Sequence, residues 1–140
     1  MIERGHTSIG GRAVDMAVTW SRRYPDDRRI HAEEATYRTY YADSRRAVGD
    51  LESSHLAFAS AIARWRQLVD HDATNTDWRW GLARALKGQS EAYRAEDRCD
   101  EALAAAEESW EVAGELLTLE PDSNLWMLAR LSAGNVIADC

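Results

Sequence analysis

Proline and cysteine occur only twice each in these 140 residues, and Lys87 is the sole lysine. So few prolines permit long helices, because a proline inside a helix removes a backbone donor and clashes with the preceding turn. Cys99 and Cys140 lie far apart in sequence without a C-x-x-C neighbour. That pattern excludes a disulfide framework and argues against a cysteine-based zinc site. Cys99 reads as a small residue near a helix start, and Cys140 as an incidental thiol. β-branched residues are sparse and no Asn-Gly or Asp-Gly turn occurs, so strand signals are absent. No run approaches the roughly 20 apolar residues needed to span a bilayer. The N-terminus carries charges but lacks the apolar core of a signal peptide. These absences predict a cytoplasmic protein with no membrane contact.

Charge of one sign is scarce in the second half. Residues 1–50 hold nine arginines against eight acids, and residues 51–140 hold eight basic groups against sixteen acids. An acidic second half disfavours nucleic acid, whose phosphates require a basic track. The preference for arginine over lysine fits codon usage in a GC-rich genome and needs no functional explanation.

What is present is an echo at 48 residues. Trp78 falls on Trp126, Leu68 on Leu116, Ala35 on Ala83, Ala47 on Ala95 and Ala85 on Ala133. The stretch from Asp70 to Trp78 (DHDATNTDW) becomes Thr118 to Trp126 (TLEPDSNLW), an acidic turn running into Trp. The turn recurs upstream as Tyr24 to Ile30, with Pro25 in the column of Ala73 and Pro121. A fixed period of this length is the signature of stacked repeat units.

Helical apolar spacing predicts six helices. A flexible lead-in covers residues 1–11, where Ser8 to Gly11 reads SIGG, and a helical repeat domain covers 12–140. Hairpins occupy about 30–72 and 77–120, flanked by single helices at 12–23 and 124–138. The expected apolar positions include Tyr37, Tyr40, Tyr41 and Val48 on the second helix. Leu56, Ala59, Ile62, Trp65 and Leu68 follow on the third, and Trp126, Leu128, Leu131 and Ile137 on the sixth. Asp97 takes the column of Gly49, a residue suited to closing a helix. Trp20, Trp65 and Trp110 are expected to pack on outer helices, and Trp80 to be partly exposed as an inter-unit or partner contact.

Tyr93 and Ala102 straddle a tight turn, small Ala106 and Ser109 follow, and Pro121 closes the unit. This arrangement resembles the tetratricopeptide repeat. With its acidic turn before Trp, as in Pro121 to Trp126, it is similar to the lengthened bacterial version, whose repeats approach fifty residues. The resemblance covers most of the chain from about Pro25. It departs from the family where Ser90 and Ala42 replace the usual Gly, where Ser54 takes the column of Ala102, and where Arg45 takes that of Tyr93. The second helix is also extended by about two turns. A rival register pairs Leu82-Ala83-Arg84 with Leu128-Ala129-Arg130 at 46 residues.

The resemblance implies an all-α fold of antiparallel hairpins stacked in a right-handed array. It also implies a concave groove, lined by the first helix of each hairpin, that binds extended or helical peptides. The Tyr93/Ala102 register puts Arg84, Lys87, Glu91 and Arg94 on that face. The 48-residue shift adds Thr36, Thr39, Asp43 and Arg46 upstream, and Ser132, Asn135 and Asp139 downstream. Arg46, Arg84, Lys87 and Arg94 together favour an acidic or C-terminal carboxylate ligand; the alternative is an ordinary solvated helix face. The functional expectation is a protein–protein interaction or scaffolding module without cofactor, able to self-associate through exposed array ends. The alternatives are a structural homo-oligomer and a metal-binding helical-bundle enzyme.

Little chemistry is visible. His6, His31, His55 and His71 are scattered, and no H-E-x-x-H, G-x-S-x-G or phosphate-cradling glycine loop occurs. Glu52-Ser53-Ser54-His55 has the Glu-x-x-His spacing of di-iron bundles, but the 48-residue counterpart of His55 is Leu103. Glu52 suits a helix N-terminus through the helix dipole. No catalytic or metal-ligating residue is expected, and the chain is not expected to be an enzyme.

Overall fold

The computed structural model of the chain describes residues 9–139. It is all-α: α1 (Ile9–Arg23), α2 (Arg28–Ala47), α3 (Leu51–His71), α4 (Thr76–Ala95), α5 (Cys99–Leu119) and α6 (Asn124–Asp139). None of these helices is long and apolar enough to cross a membrane. α1 begins at Ile9, so the expected lead-in does not reach residue 11; Gly11 is buried within the helix. The rest of the lead-in, residues 1–8, lies outside the described residues.

The 48-residue frame is visible in the backbone. α2 and α4 start and stop 48 residues apart, as do α3 and α5, and α4 and α6 start by the same interval. The connecting turn is built three times from equivalent bonds. The amide of Tyr24 donates to Trp20 O, that of Asp72 to Leu68 O, and that of Glu120 to Leu116 O, at 2.9, 3.1 and 2.9 Å. Asp27, Asn75 and Ser123 then occupy one column as caps: each side-chain oxygen accepts the amide three residues on, from Ile30, Trp78 and Trp126. Such caps satisfy amides that a helix start leaves without partners. The other turns share a column too, since Gly49 and Asp97 both have left-handed φ, 85° and 58°. These coincidences favour the 48-residue register over the 46-residue one.

Each helix packs on the next, and α4 also touches both α2 and α6. α2, α4 and α6 therefore form an inner layer, while α1, α3 and α5 form an outer one whose backbones stand further apart, with Arg66 of α3 reaching Glu108 of α5 at 2.7 Å. Small residues bring the layers close. Ser54 Oγ donates to Ala42 O and Ser109 Oγ to Ala83 O, both at 2.8 Å. Between units, outer-helix rings sit against inner-helix glycines. A Cβ on Gly88 would fall 2.5 Å from the Phe58 ring, one on Gly81 2.5 Å from Trp65, and one on Gly134 2.8 Å from Trp110. Phe58 and Trp65 stand two helical turns apart, as do Gly81 and Gly88, so one antiparallel ridge fills one groove.

Polar groups join the layers at α2. Glu34 is 5% exposed and receives Arg38 Nε at 2.8 Å and Arg64 Nη2 at 3.2 Å. Burial would raise its pKa, but bonds from Ser21 and Arg38 and the charges of Arg64 and Arg38 outweigh that and lower it. Trp65 Nε1 donates to Thr39 Oγ1 at 3.3 Å, which satisfies the polar end of a buried ring.

Several apolar expectations are corrected. Leu56, Val48, Leu128 and Leu131 are exposed, as are Tyr37 and Tyr40, whereas Phe58, Ala57 and Ala61 fill the α3 interior. Trp20 is not packed inward; it stacks on Tyr24 at 5.6 Å beside Arg23. On the inner helices alanine and glycine make the close contacts beside buried Leu82, Leu86 and Val136, while Tyr37, Tyr40, Leu128 and Leu131 are left at the surface.

The close approach gives a sign test. Alanine in place of an ordinary mid-helix glycine stabilises by roughly 0.5–1 kcal/mol. Gly88→Ala should instead destabilise by about 1–3 kcal/mol through overpacking against Phe58. Urea denaturation followed by circular dichroism measures which occurs.

Candidate functional site

The inner layer presents a groove along α2, α4 and α6. Its first part is a cleft of 480 Å³ whose lining includes Thr36, Tyr40, Trp65, Trp78, Trp80 and Arg84. The second, of 230 Å³, is lined by Trp80, Arg84, Lys87, Leu125, Leu128 and Ser132 among others. Trp80 and Arg84 belong to both, so the clefts are continuous across α4. The Trp80 ring is braced by Trp126 at 5.4 Å with a 46° tilt. The floor at Gly81 and Trp65 is the ring–glycine contact described above.

Charged groups adjoining the groove are wired together. Asp43 Oδ2 accepts Arg84 Nη2 at 3.1 Å, and Asp43 Oδ1 lies 3.4 Å from Arg46 Nη2. Arg46 reaches Glu91 at 3.4 Å, and Lys87 reaches the other Glu91 oxygen at 3.3 Å. The chain Arg84–Asp43–Arg46–Glu91–Lys87 alternates in sign and joins α2 to α4. Arg84 also lies 4.9 Å above the Tyr40 ring, a cation–π position.

The expected groove residues divide. Thr36, Arg84, Lys87 and Ser132 line the clefts, while Asp43, Arg46 and Glu91 form the ion-pair chain beside them. Thr39, although only 2% exposed, also lines the first cleft, and its hydroxyl accepts the Trp65 indole bond at the cleft floor. Arg94, half-buried near the end of α4, and exposed Asn135 line neither cleft. The Asp139 side chain lies outside the described residues. The expected cations belong to a mixed network: Arg46, Arg84 and Lys87 face Asp43 or Glu91.

Sequence reasoning missed Tyr40, Trp80 as a groove wall, Leu125 and Leu128. A signal existed. Tyr40 is one turn from Thr36 on the same face, and Trp80 one turn from Arg84. Ala32, Trp80 and Leu128 share a 48-residue column, and all three line the clefts.

The Glu52/His55 pair does not form a metal site. Glu52 is exposed, and His55 Nε2 lies 2.7 Å from Glu96 Oε1 with its ring 4.5 Å from Tyr93. That hydrogen bond is the main reason the Glu96 carboxyl sits below its usual range. Among the described residues, no three His, Cys, Asp or Glu side chains gather in a group able to hold a metal.

The Asp43–Arg84 pair is part exposed, so its strength should be modest. A double-mutant cycle with Asp43→Asn and Arg84→Gln should give a coupling of about 0.5–1 kcal/mol at low salt, reduced at high salt.

No protein-family model matches the chain, and searches of curated proteins and of solved structures return no significant match.

Proposed function

We propose that this protein is a tetratricopeptide-like interaction or scaffolding module that holds a segment of a partner protein in the groove over α2, α4 and α6. The observation that carries the reading is the continuous cleft with Trp80 at its centre. A tilted indole beside exposed Leu125 and Leu128 supplies apolar area, and Arg84 on Tyr40 supplies one directional cation. Aromatic and arginine side chains of this kind dominate binding energy at protein interfaces. The two-layer packing supports the same reading, since it leaves the inner helices' polar face open over several turns.

The partner's chemistry follows from the ion-pair chain. Asp43 and Glu91 already oppose Arg84, Arg46 and Lys87, so a strongly acidic partner gains only what it adds over those internal pairs. We favour a segment that covers Trp80 and the two leucines with apolar side chains and presents one carboxylate to Arg84. A bidentate contact there would exchange with Asp43. Binding, rather than catalysis, is the activity this arrangement supports.

The test compares cross-linked partners captured by wild type with those captured by Trp80→Ala and by Arg84→Glu, each variant first shown to be folded. A partner that binds wild type should lose at least tenfold in affinity with Trp80→Ala, and less with Arg84→Glu. Partners that bind both variants as tightly as wild type would place the interaction elsewhere.

A further inference from the structure

The face that α6 turns to solvent is unlike any other exposed helix face in the fold. It carries Leu125, Met127, Leu128 and Leu131, which are 51%, 46%, 64% and 53% exposed, together with Asn124, Asn135 and Ala138. None of these seven residues is charged. By contrast, the exposed face of α5 bears Asp100, Glu101, Glu107, Glu111 and Glu115. A helix apolar around most of its circumference is normally buried. At the opposite end of the array, α1 and α2 flank an open groove of 510 Å³ lined by Met16, Trp20, Ile30 and Tyr37, with Arg12 and Glu33 beside them.

The packing pattern relates the two surfaces. Inner helix α2 touches the outer helix and inner helix that follow it, α3 and α4; α4 likewise touches α5 and α6. α1 and α2 are themselves an outer helix followed by an inner one. The groove between them is the slot that a preceding inner helix would occupy, and α6 is an inner helix with its forward face uncovered. The hairpin pairings Ala42/Ser54 and Ala83/Ser109 follow one antiparallel register. Carried forward by the same 48-residue period, that register sets Leu128 opposite Met16 and Leu131 opposite Ala13 of another copy.

Charge points the same way. Residues 12–29 hold five arginines and three acids, a balance of +2, whereas residues 99–139 hold nine acids and one arginine, a balance of −8. The excess acids lie on α5 and the turn after it, while α6 and the groove lining are each balanced, so the attraction between ends acts from the outer helices flanking a contact of no net charge.

We propose that this protein assembles head to tail, with α6 of one copy seated in the α1/α2 groove of the next. The contact is heterologous: each copy offers one α6 face and one groove, so the array continues across the junction and grows beyond a dimer. The α6 face shares Leu125 and Leu128 with the second cleft, whereas Leu131 and Met16, the residues tested below, line neither cleft of the inner layer.

Sedimentation velocity over a dilution series tests it. Wild type should show a mass that rises past the dimer with concentration. Leu131→Glu blocks the α6 face and Met16→Glu blocks the groove; each variant alone should be monomeric. Their mixture should form a one-to-one dimer and nothing larger, because one intact face meets one intact groove. Circular dichroism checks that both stay helical, and Leu131→Ser with Met16→Ser should reproduce the pattern if glutamate unfolds either. Wild type that stays monomeric up to millimolar concentration would overturn the proposal. So would a Met16→Glu variant that still dimerises, which would place α6 against α6, or a mixture that forms no dimer.

Discussion

An aromatic ring of an outer helix pressed against a glycine of an inner helix sets the spacing on which this fold depends. Phe58 on Gly88, Trp65 on Gly81 and Trp110 on Gly134 are the same device, used between α3 and α4 and again between α5 and α6. Because the ring lies where a Cβ would be, the helices approach closely and the ring itself is enclosed: Phe58 is fully buried and Trp65 nearly so. Within a unit, the serine bonds to Ala42 and Ala83 carbonyls perform the matching task. Alanine, glycine and serine make the close inner-helix contacts around buried Leu82, Leu86, Trp126 and Val136, and Tyr37, Tyr40 and Leu128 turn outward. The groove exists because the core is built from small residues on one side and rings on the other.

Helix number and boundaries were legible because the turns are local. Asp27, Asn75 and Ser123 announce helix starts by capping chemistry that needs no distant partner, and Gly49 announces a left-handed closure. Asp97 could be placed only by its column, since its φ of 58° is unusual for a residue with a side chain. Burial was less legible. Tyr37, Tyr40, Leu128 and Leu131 satisfy helical periodicity yet are exposed, because hydrophobicity does not distinguish a core face from a groove or an end face. His31 and Glu34 went unread as interior residues because their burial depends on Ser21, Arg38 and Arg64 arriving from three elements. The repeat register located the groove cations and also Asp43 and Glu91, but not which of them pair, since ion pairing is a property of the packed pair of helices.

These features divide the labour of the molecule. The repeating residues hold the frame: caps, left-handed closures, small contacts and seated rings. The non-repeating ones, Trp80, Arg84, Lys87 and Glu91 on α4 with Asp43 and Arg46 on α2, give the inner surface its character. Their alternating charges keep that surface soluble and ordered before any ligand arrives, and a partner must compete with pairs already formed. On α6, exposed Leu131 stands in the column of Ala35 and Ala83, both of which are buried on α2 and α4.

The central claim is that one 48-residue frame specifies the packing, and an in-phase splice tests it most directly. Joining Ser60 to Ser109 deletes 48 residues and fuses the first half of α3 to the second half of α5. Joining Ser60 to Glu107 deletes 46 and leaves two extra residues, which turn the second half-helix by about 200° and carry its apolar stripe away from the core. Thermal unfolding followed by circular dichroism should show the first splice helical and cooperative, at lower stability than the full chain, and the second without a cooperative transition. A first splice that fails to fold, or a second that folds as well as the first, would contradict the account.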